Sequence, residues 1–164
     1  MDMTFKTSEG VFNYRVDALI LNGTKILMAH DKRFEQYYTI GGRVHFGETS
    51  EQAMLREVFE ETGVRAEIDR LAFIHEGFFA IDGTAYQELA LCYLIKPFDY
   101  STIDFSAIKC DGENQEILWI DLADKEWCGD REIFPLWLTE KALSIPNEIN
   151  HIVTVEEGYK ELLK

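Results

Sequence analysis

A glycine-rich loop followed by a strongly marked helix, at residues 41 to 64, constrains this chain more than any other segment. It reads GGRVHFGETSEQAMLREVFEETGV. Thr49 and Gln52 form a capping box at the start of the helix, and Gly63 stands where a left-handed residue ends one. The pattern therefore predicts a helix from about Ser50 to Thr62.

Three carboxylates share one face of this predicted helix. At about 100° per residue, Glu60 and Glu61 lie within roughly 60° of Glu57. A second arc is predicted to face the core, and it holds Met54, Leu55, Val58, Phe59 and Thr62. Ala53 falls inside the acidic arc, where its small side chain would leave room for a ligand.

The acidic arc has two interpretations. On an exposed face a pair of like charges costs only about 0.2 to 0.5 kcal/mol, so the three glutamates fit a solvated surface. In a partly desolvated cleft the repulsion rises to about 4 kcal/mol per pair, and a divalent cation offsets it. Hard oxygen ligands in this number suit Mg²⁺ or Mn²⁺, which bind substrate phosphates at the same time.

The loop before the helix holds groups that suit such a site. Gly41 and Gly42 let a backbone carbonyl or N–H approach a metal or a phosphate closely. Arg43 is placed to meet phosphate oxygens, so Gly42 and Arg43 are the expected substrate contacts. Glu48 is favoured near the positive end of the helix dipole, which fits either a role in the site or simple capping. His45 is either a phosphate contact or a solvated loop histidine.

The full spacing of this segment resembles the Nudix box, Gx5Ex7REUxEExGU, in which U is apolar. Every defined position is matched, namely Gly42, Glu48, Arg56, Glu57, Val58, Glu60, Glu61, Gly63 and Val64. The chain is thus similar to the Nudix (MutT-like) hydrolases. The resemblance implies an α/β fold, a Nudix-type α/β/α sandwich around a mixed β-sheet, as a single domain over residues 1–164 with the box at 42–64.

The Nudix resemblance also implies a chemistry, the hydrolysis of the diphosphate linkage of a nucleotide or nucleoside diphosphate derivative with Mg²⁺ or Mn²⁺ as cofactor. Carried over by position, Glu57 and Glu61 would be the main metal ligands, and Glu60 a ligand or a water activator. Arg56 would orient the carboxylates, and Gly41 would offer its carbonyl to a metal. Metal ions bound across a diphosphate neutralise its oxygens and position the attacking water.

A general base outside the box is also expected. Residues from Pro97 to Gln115 show no clear period and predict a long loop, of a length that is often functional. Glu113 and Glu116 stand at the end of this loop. Either of them, or Glu60, is a candidate for the base.

Apolar runs with strand character flank the box. They are YRVDALIL, TKILMAH, YYTI, RAEIDRLAFIHEGFF, YQELALCYLIK, EILWIDL and HIVTV. Asn22-Gly23 and Asp82-Gly83 predict hairpin turns between neighbouring runs, so the sheet should be mixed or largely antiparallel. FPLWLTEKAL, with Pro135 in its first turn, and EEGYKELLK predict helices.

The composition limits the partners of the protein. With 16 basic and 30 acidic residues the formal charge is −14, which disfavours a nucleic-acid polymer or an anionic membrane as a partner. Cys92, Cys110 and Cys128 form no CxxC pair and predict free thiols. The N-terminus lacks the apolar core of a signal peptide, and no run reaches ~18 apolar residues. We expect a soluble cytoplasmic protein with a small-molecule nucleotide substrate, either a monomer or a homodimer.

The sequence signals for substrate specificity are weaker than those for the metal site. Four aromatic side chains either stack on a nucleobase or belong to the core, namely Phe78, Phe79, Tyr86 and Trp119. No proline lies between Gly63 and Pro97, whereas Nudix ADP-ribose hydrolases usually carry one shortly after the box. The SQPWPFPxS signature of the NADH hydrolases is also absent.

Two other functions fit a Nudix fold. One is a sensor that binds a nucleotide without turnover, and the intact box disfavours it. The other is an isomerase that acts on a small diphosphate, and relatives of that kind vary the box.

Overall fold

The structure is a computed structural model, and it describes residues 1–106 and 114–162. The helices within these ranges are α1 (Ser50–Thr62), α2 (Lys125–Gly129), α3 (Leu138–Lys141) and α4 (Glu157–Leu162), with one 3-10 turn at Tyr100–Thr102. The strands are β1 (Thr4–Lys6), β2 (Val11–Leu19), β3 (Leu21–Asn22), β4 (Lys25–Asp31), β5 (Gln36–Arg43), β6 (Ile68–Ile81), β7 (Thr84–Ile95), β8 (Gln115–Asp121), β9 (Glu132–Phe134) and β10 (Asn150–Val155).

These strands belong to one mixed sheet. Seven run side by side in the order β10-β6-β7-β2-β5-β4-β3, while β1 adds to β2, β8 to β4 and β9 to β5. The pairs β2–β7, β6–β10 and β5–β9 are parallel, and the others are antiparallel. The turns predicted at Asn22-Gly23 and Asp82-Gly83 join β3 to β4 and β6 to β7.

Helices cover both faces of the sheet. On one face α1 packs Met54 and Val58 into a buried cluster with Ile40. On the other face the segment that contains α2 and α3 places Trp137 against Phe73, with ring centroids 4.7 Å apart. The predicted α/β/α layering around a mixed sheet is therefore confirmed.

Helix α1 begins and ends at the predicted residues. The Thr49 hydroxyl accepts a hydrogen bond from the Gln52 N–H at 3.2 Å, and the Gln52 side-chain oxygen accepts one from the Thr49 N–H at 2.9 Å. Gly63 has a φ of 73° and closes the helix in the left-handed region. Both ends follow from local sequence, because the caps satisfy terminal backbone groups that have no partner within the helix.

The helix predicted at residues 134–143 is shorter than expected, since only Leu138–Lys141 are helical. Phe134 instead ends β9, where it pairs with Tyr38 of β5 and stacks on its ring at 5.5 Å. A residue that precedes proline avoids the helical region, and the parallel pairing with β5 stabilises the extended form. Pro135 thus precedes the helix rather than forming its first turn.

Strand β5 changes partner at the point where the glycines stand. Its first half, Gln36 to Thr39, pairs with β4, and its second half, Ile40 to Arg43, pairs with β2. Among residues 1–106 and 114–162, no strand lies beside the second half on the side away from β2, and α1 packs against it. This split opens the backbone around Gly41 and Gly42 to side chains from the helix.

Two further observations concern the cysteines and the possibility of a membrane-spanning helix. Cys92 and Cys128 are free, as predicted, and both are buried, whereas Cys110 lies outside the described residues. No helix in the described part of the chain is long and apolar enough to cross a membrane.

Candidate active site

Helix α1 turns the side of its acidic arc that carries Glu57 and Glu61 toward the protein. Glu61 is 8% exposed and Ala53 is fully buried, while Leu55 and Phe59 are 37% and 44% exposed. The predicted core-facing arc is wrong for Leu55 and Phe59, and Ala53 leaves no room for a ligand. The two glycines of β5 cause this rotation, because they admit carboxylates that side chains would exclude. Phe59 instead lies under the guanidinium of Arg65, 4.9 Å from its ring centroid.

Gly41 presents its backbone polar groups to α1. It lies opposite Asp17 at a non-hydrogen-bonded position of the β2–β5 pair, so its N–H and C=O both point away from β2. The N–H donates to Oε1 of Glu61 at 3.2 Å, and the carbonyl is directed to the same side. A Cβ added at Gly41 would lie 2.2 Å from the Val16 carbonyl oxygen, so only glycine fits here.

The absence of a side chain at Gly42 leaves space for the Glu57 carboxylate. A Cβ built on Gly42 would lie 2.4 Å from Oε1 of Glu57, well inside van der Waals contact. The Glu57 side chain is only 12% exposed. The carboxylates of Glu57 and Glu61 therefore flank the Gly41-Gly42 dipeptide, one against each glycine.

Arg56 is the centre of a network of charge-assisted hydrogen bonds. Its Nε and Nη2 donate to the two carboxylate oxygens of Glu48 at 2.8 and 3.0 Å, a bidentate arrangement. Its Nη1 donates to Glu57 at 2.7 Å and to Glu60 at 3.3 Å, and Nη2 also reaches the Arg43 carbonyl at 3.0 Å. The bond to Glu48 is the largest factor that raises the pKa of Arg56 above its usual range. Arg56 thus holds the Glu57 carboxylate in a fixed position.

Glu48 anchors Arg56 rather than capping the helix, a role that Thr49 fills. Arg56 is the main cause that lowers the pKa of Glu48 below its ordinary value. Glu48 also accepts a hydrogen bond from the His45 N–H at 2.9 Å, which ties the loop to the network. Glu48 is therefore not the cap of α1, and its role in the site stays a prediction.

Glu48→Gln is expected to lower the free energy of unfolding by about 1 to 3 kcal/mol, because the Arg56 guanidinium would lose its charged bidentate partner. Urea titration of the purified variant measures the change. Glu67→Gln is the matched control, since it removes the partner of Lys96 at 3.0 Å in an exposed pair. The control should lose much less stability than Glu48→Gln, because solvent screens an exposed pair, and equal losses in both variants would contradict the anchoring role.

The surroundings of Glu61 disfavour its ionised form. Burial raises the pKa of Glu61 to about 8; the Gly41 N–H opposes the shift and the Glu57 carboxylate adds to it. Arg15 also opposes the shift, and Asp17 adds to it. A cation would be strongly stabilising at such a position, because it favours the ionised form.

Strand β2 adds a polar row that our sequence reasoning missed. Asn13, Arg15 and Asp17 occupy alternate positions and share one face of the sheet. Asp17 is 6% exposed and accepts a hydrogen bond from the Thr39 hydroxyl at 3.0 Å. The available signal was a polar residue at every second position of an otherwise apolar strand, which indicates a polar patch within the sheet.

Glu60 and Glu116 are not brought to the glycine pair in the same way. The Glu60 side chain is 51% exposed and is held by Arg56. Glu116 lies on β8, where it pairs with Lys32 at 2.8 Å and with Nδ1 of His30 at 3.1 Å. By strand register it is two strands and four residues from Gly41, or roughly 10 Å across and 13 Å along the sheet. Its predicted role as general base stays a prediction.

The remaining predictions for the site concern Glu113 and the number of converging metal ligands. Glu113 lies outside the described residues. Within the described ranges, no three His, Cys, Asp or Glu side chains already converge in a ligating arrangement. Glu57 and Glu61 are the two that the fold has brought to the glycines.

The aromatic and histidine candidates contact other protein groups. Phe79 stacks on Tyr86 at 5.2 Å, and Trp119 meets the ring of Tyr100 edge-on at 5.2 Å. His45 lies 3.2 Å from an Asp2 carboxylate oxygen. The remaining candidate, Phe78, contacts the ring of Tyr159. These contacts favour structural roles for the four aromatic side chains, and base stacking stays a prediction.

Comparison with known proteins gives matches over different lengths. The family model described as the NUDIX domain matches residues 11–137. Among curated proteins, an NAD-capped RNA hydrolase NudC from Haemophilus influenzae is 48% identical over 50 residues, which cover 27% of this chain and 19% of that protein. The chain thus spans about a fifth of the length of the curated relatives it matches.

Two solved structures illustrate the similarity in fold. A MutT protein from Bacillus halodurans superposes with a TM-score of 0.60 at 12% identity, covering 88% of this chain and 92% of that one. A NUDIX hydrolase from Nitrosomonas europaea gives 0.54 at 24% identity, covering 76% and 82%. At these identities the two structures bear on the fold alone.

Proposed function

The chain belongs to the Nudix family, and from this premise we propose that it is a metal-dependent pyrophosphohydrolase that cleaves the diphosphate linkage of a nucleotide or nucleoside diphosphate derivative. One observation carries the proposal. The carboxylates of Glu57 and Glu61 lie against two successive glycines, and Glu61 is buried there. Glu61 lies beside the Glu57 carboxylate and accepts its hydrogen bond from a neutral backbone N–H, so its ionisation is costly without a bound cation, and a purely structural role fits it poorly.

The groups present fit Mg²⁺ or Mn²⁺. The donors are hard oxygens, namely the carboxylates of Glu57 and Glu61, the Gly41 carbonyl and, after rotation away from Arg56, the Glu60 carboxylate. Hard oxygen donors favour these ions over metals that prefer thiolate or imidazole ligands. When bound, the cation neutralises diphosphate oxygens and activates a water molecule.

The residues of the chain have separate tasks in this mechanism. Arg56 orients Glu57 through the Nη1 to Oε1 hydrogen bond of 2.7 Å. The missing side chain of Gly42 leaves the space that this carboxylate occupies. The Arg43 side chain, 44% exposed, is available to a substrate phosphate. Glu60 or Glu116 would accept a proton from the attacking water.

Gly42→Ala is expected to weaken Mn²⁺ binding about tenfold or more, because the new methyl group would displace the Glu57 carboxylate. Calorimetric titration with Mn²⁺ measures the effect. Gly129→Ala is the matched control, because a Cβ at Gly129 has no atom within 4 Å. Wild-type Mn²⁺ affinity in a folded Gly42→Ala variant would contradict the assignment of Glu57 as a ligand.

A substrate screen tests the proposed function. Canonical, oxidised and sugar-linked nucleotides are incubated with Mg²⁺ and with Mn²⁺, and the products are identified by mass. We expect cleavage of a phosphoric anhydride bond in at least one nucleotide. Tight binding without any product would indicate a sensor, and a rearranged small diphosphate would indicate an isomerase; either result would overturn the proposal.

The setting of this activity is also proposed. The formal charge of −14 favours a small nucleotide over a nucleic-acid polymer as substrate. The unpaired thiols of Cys92 and Cys128 are compatible with the reducing cytoplasm.

A further inference from the structure

Two arginines face each other directly across strands β2 and β5. Arg15 is the register partner of Arg43, at a non-hydrogen-bonded position where opposing side chains approach most closely. The Cβ atoms of such a pair are about 4.5 to 5.5 Å apart, and like charges so placed are destabilising. The pair occurs in a chain with only 16 basic residues. A bound anion would remove the repulsion between them.

The acidic side chains near Arg15 and Arg43 do not satisfy all the N–H donors of these two arginines. Nε of Arg15 lies 3.9 Å from the Glu88 carboxylate, too far for a hydrogen bond. Among residues 1–106 and 114–162, this buried Nε–H has no hydrogen-bond acceptor. The Arg43 guanidinium lies 3.7 Å from the Asp2 carboxylate, and both side chains are close to half exposed. Both guanidinium groups therefore retain donors for a further anion.

Arg15 also lies within electrostatic reach of the acids on the glycine pair. Burial lowers the pKa of Arg15, but the carboxylates of Glu88, Asp17, Glu61 and Glu57 raise it, and the net direction is upward. Arg15 is two residues from Asp17, which pairs with Gly41. A diphosphate held at Glu57 and Glu61 would thus lie close to the arginine pair.

We propose that Arg15 and Arg43 form an anion subsite that binds a phosphate group of the substrate beside the Glu57–Glu61 site, an inference that rests on the proposed function. A guanidinium presents a fork of N–H donors that matches two phosphate oxygens. Arg15 contributes the less exposed of the two forks, with a side chain 27% exposed against 44% for Arg43. The subsite therefore adds a protein contact to a phosphate oxygen that the cation leaves free.

Binding of inorganic pyrophosphate tests the subsite without requiring turnover. Calorimetry is performed on the full chain, first with Mn²⁺ alone and then with pyrophosphate at saturating Mn²⁺. Arg15→Gln is expected to weaken pyrophosphate binding about 10- to 100-fold, because charge-assisted hydrogen bonds are lost. Its affinity for Mn²⁺ alone should be unchanged or higher, since a nearby cation has been removed. The pyrophosphate affinity of Arg15→Lys should fall between those of the wild type and Arg15→Gln, because an ammonium group retains the charge but not the fork of N–H donors.

Lys160→Gln on α4 makes the same change in net charge away from the site and should bind pyrophosphate as the wild type does. If Arg15→Gln fails to fold, the double variant Arg15→Gln/Glu88→Gln removes both members of the ion pair and should show the same loss. Pyrophosphate binding within twofold of wild type in the folded single or double variant overturns the subsite. Failure of wild-type protein to bind Mn²⁺ and pyrophosphate, with no turnover in the substrate screen, overturns the proposed function instead.

Discussion

Glu57→Gln and Glu61→Gln are each expected to lower metal-dependent turnover at least about a hundredfold while the fold stays intact. Glutamine keeps an oxygen that accepts the hydrogen bond from Arg56 at position 57, or from the Gly41 N–H at position 61. It removes the negative charge that a divalent cation requires. Both variants should therefore lose activity without losing the fold.

Turnover is measured on the substrate that the screen identifies, and far-ultraviolet circular dichroism reports the fold. Glu51→Gln is the matched control, because it changes the same charge on an exposed position in the first turn of α1. The control should retain turnover within about twofold. Near-normal turnover in both folded variants would remove Glu57 and Glu61 from the site.

Without metal, the protein is expected to lose stability as the pH rises from about 5 to 8. The pKa of Glu61 is about 8 in the folded chain, against an ordinary value of 4.5. Between these values the folded state holds a proton that the unfolded state has released, so the free energy of unfolding falls as pH rises. The loss is on the order of 4 kcal/mol. Burial also raises the pKa of Glu88, which adds to the trend.

Urea titrations at several pH values in a chelator measure this trend. Glu61→Gln should flatten most of the slope and be more stable than the wild type at pH 8, because the amide pays no cost of ionisation. Mn²⁺ should raise the melting temperature of the wild type more at pH 8 than at pH 5, since the ionised carboxylate is the form that binds a cation. If the free energy of unfolding of Glu61→Gln fell with pH as steeply as that of the wild type, the buried carboxyl of Glu61 would not be the source of the pH dependence.

The local features of the helix could be predicted because their causes are local. Thr49, Gln52 and Gly63 satisfy backbone groups within a few residues of themselves, so the ends of α1 follow from sequence alone. The hairpins at Asn22-Gly23 and Asp82-Gly83 follow for the same reason. The family was also evident, because the spacing from Gly42 to Val64 matches a full motif.

Features that depend on distant neighbours were predicted less well. Leu55 and Phe59 were assigned to the core from the helical repeat, yet their exposure depends on which side of α1 meets the sheet. The helix predicted from Phe134 is replaced at its start by β9, because the register with Tyr38 is a long-range contact. A helical repeat gives the relative angles of side chains but not the absolute rotation of the helix on its neighbour.

By itself, the sequence determined a Nudix chain with a capped helix, an acidic arc and a glycine pair. Only the tertiary structure decided which acids turn inward, since the split of β5 between two partners exposes the backbone of Gly41 and Gly42 to Glu61 and Glu57. It also placed Arg15 opposite Arg43, residues 28 positions apart in sequence. Strand register set that pairing, and register depends on the sheet as a whole rather than on either strand.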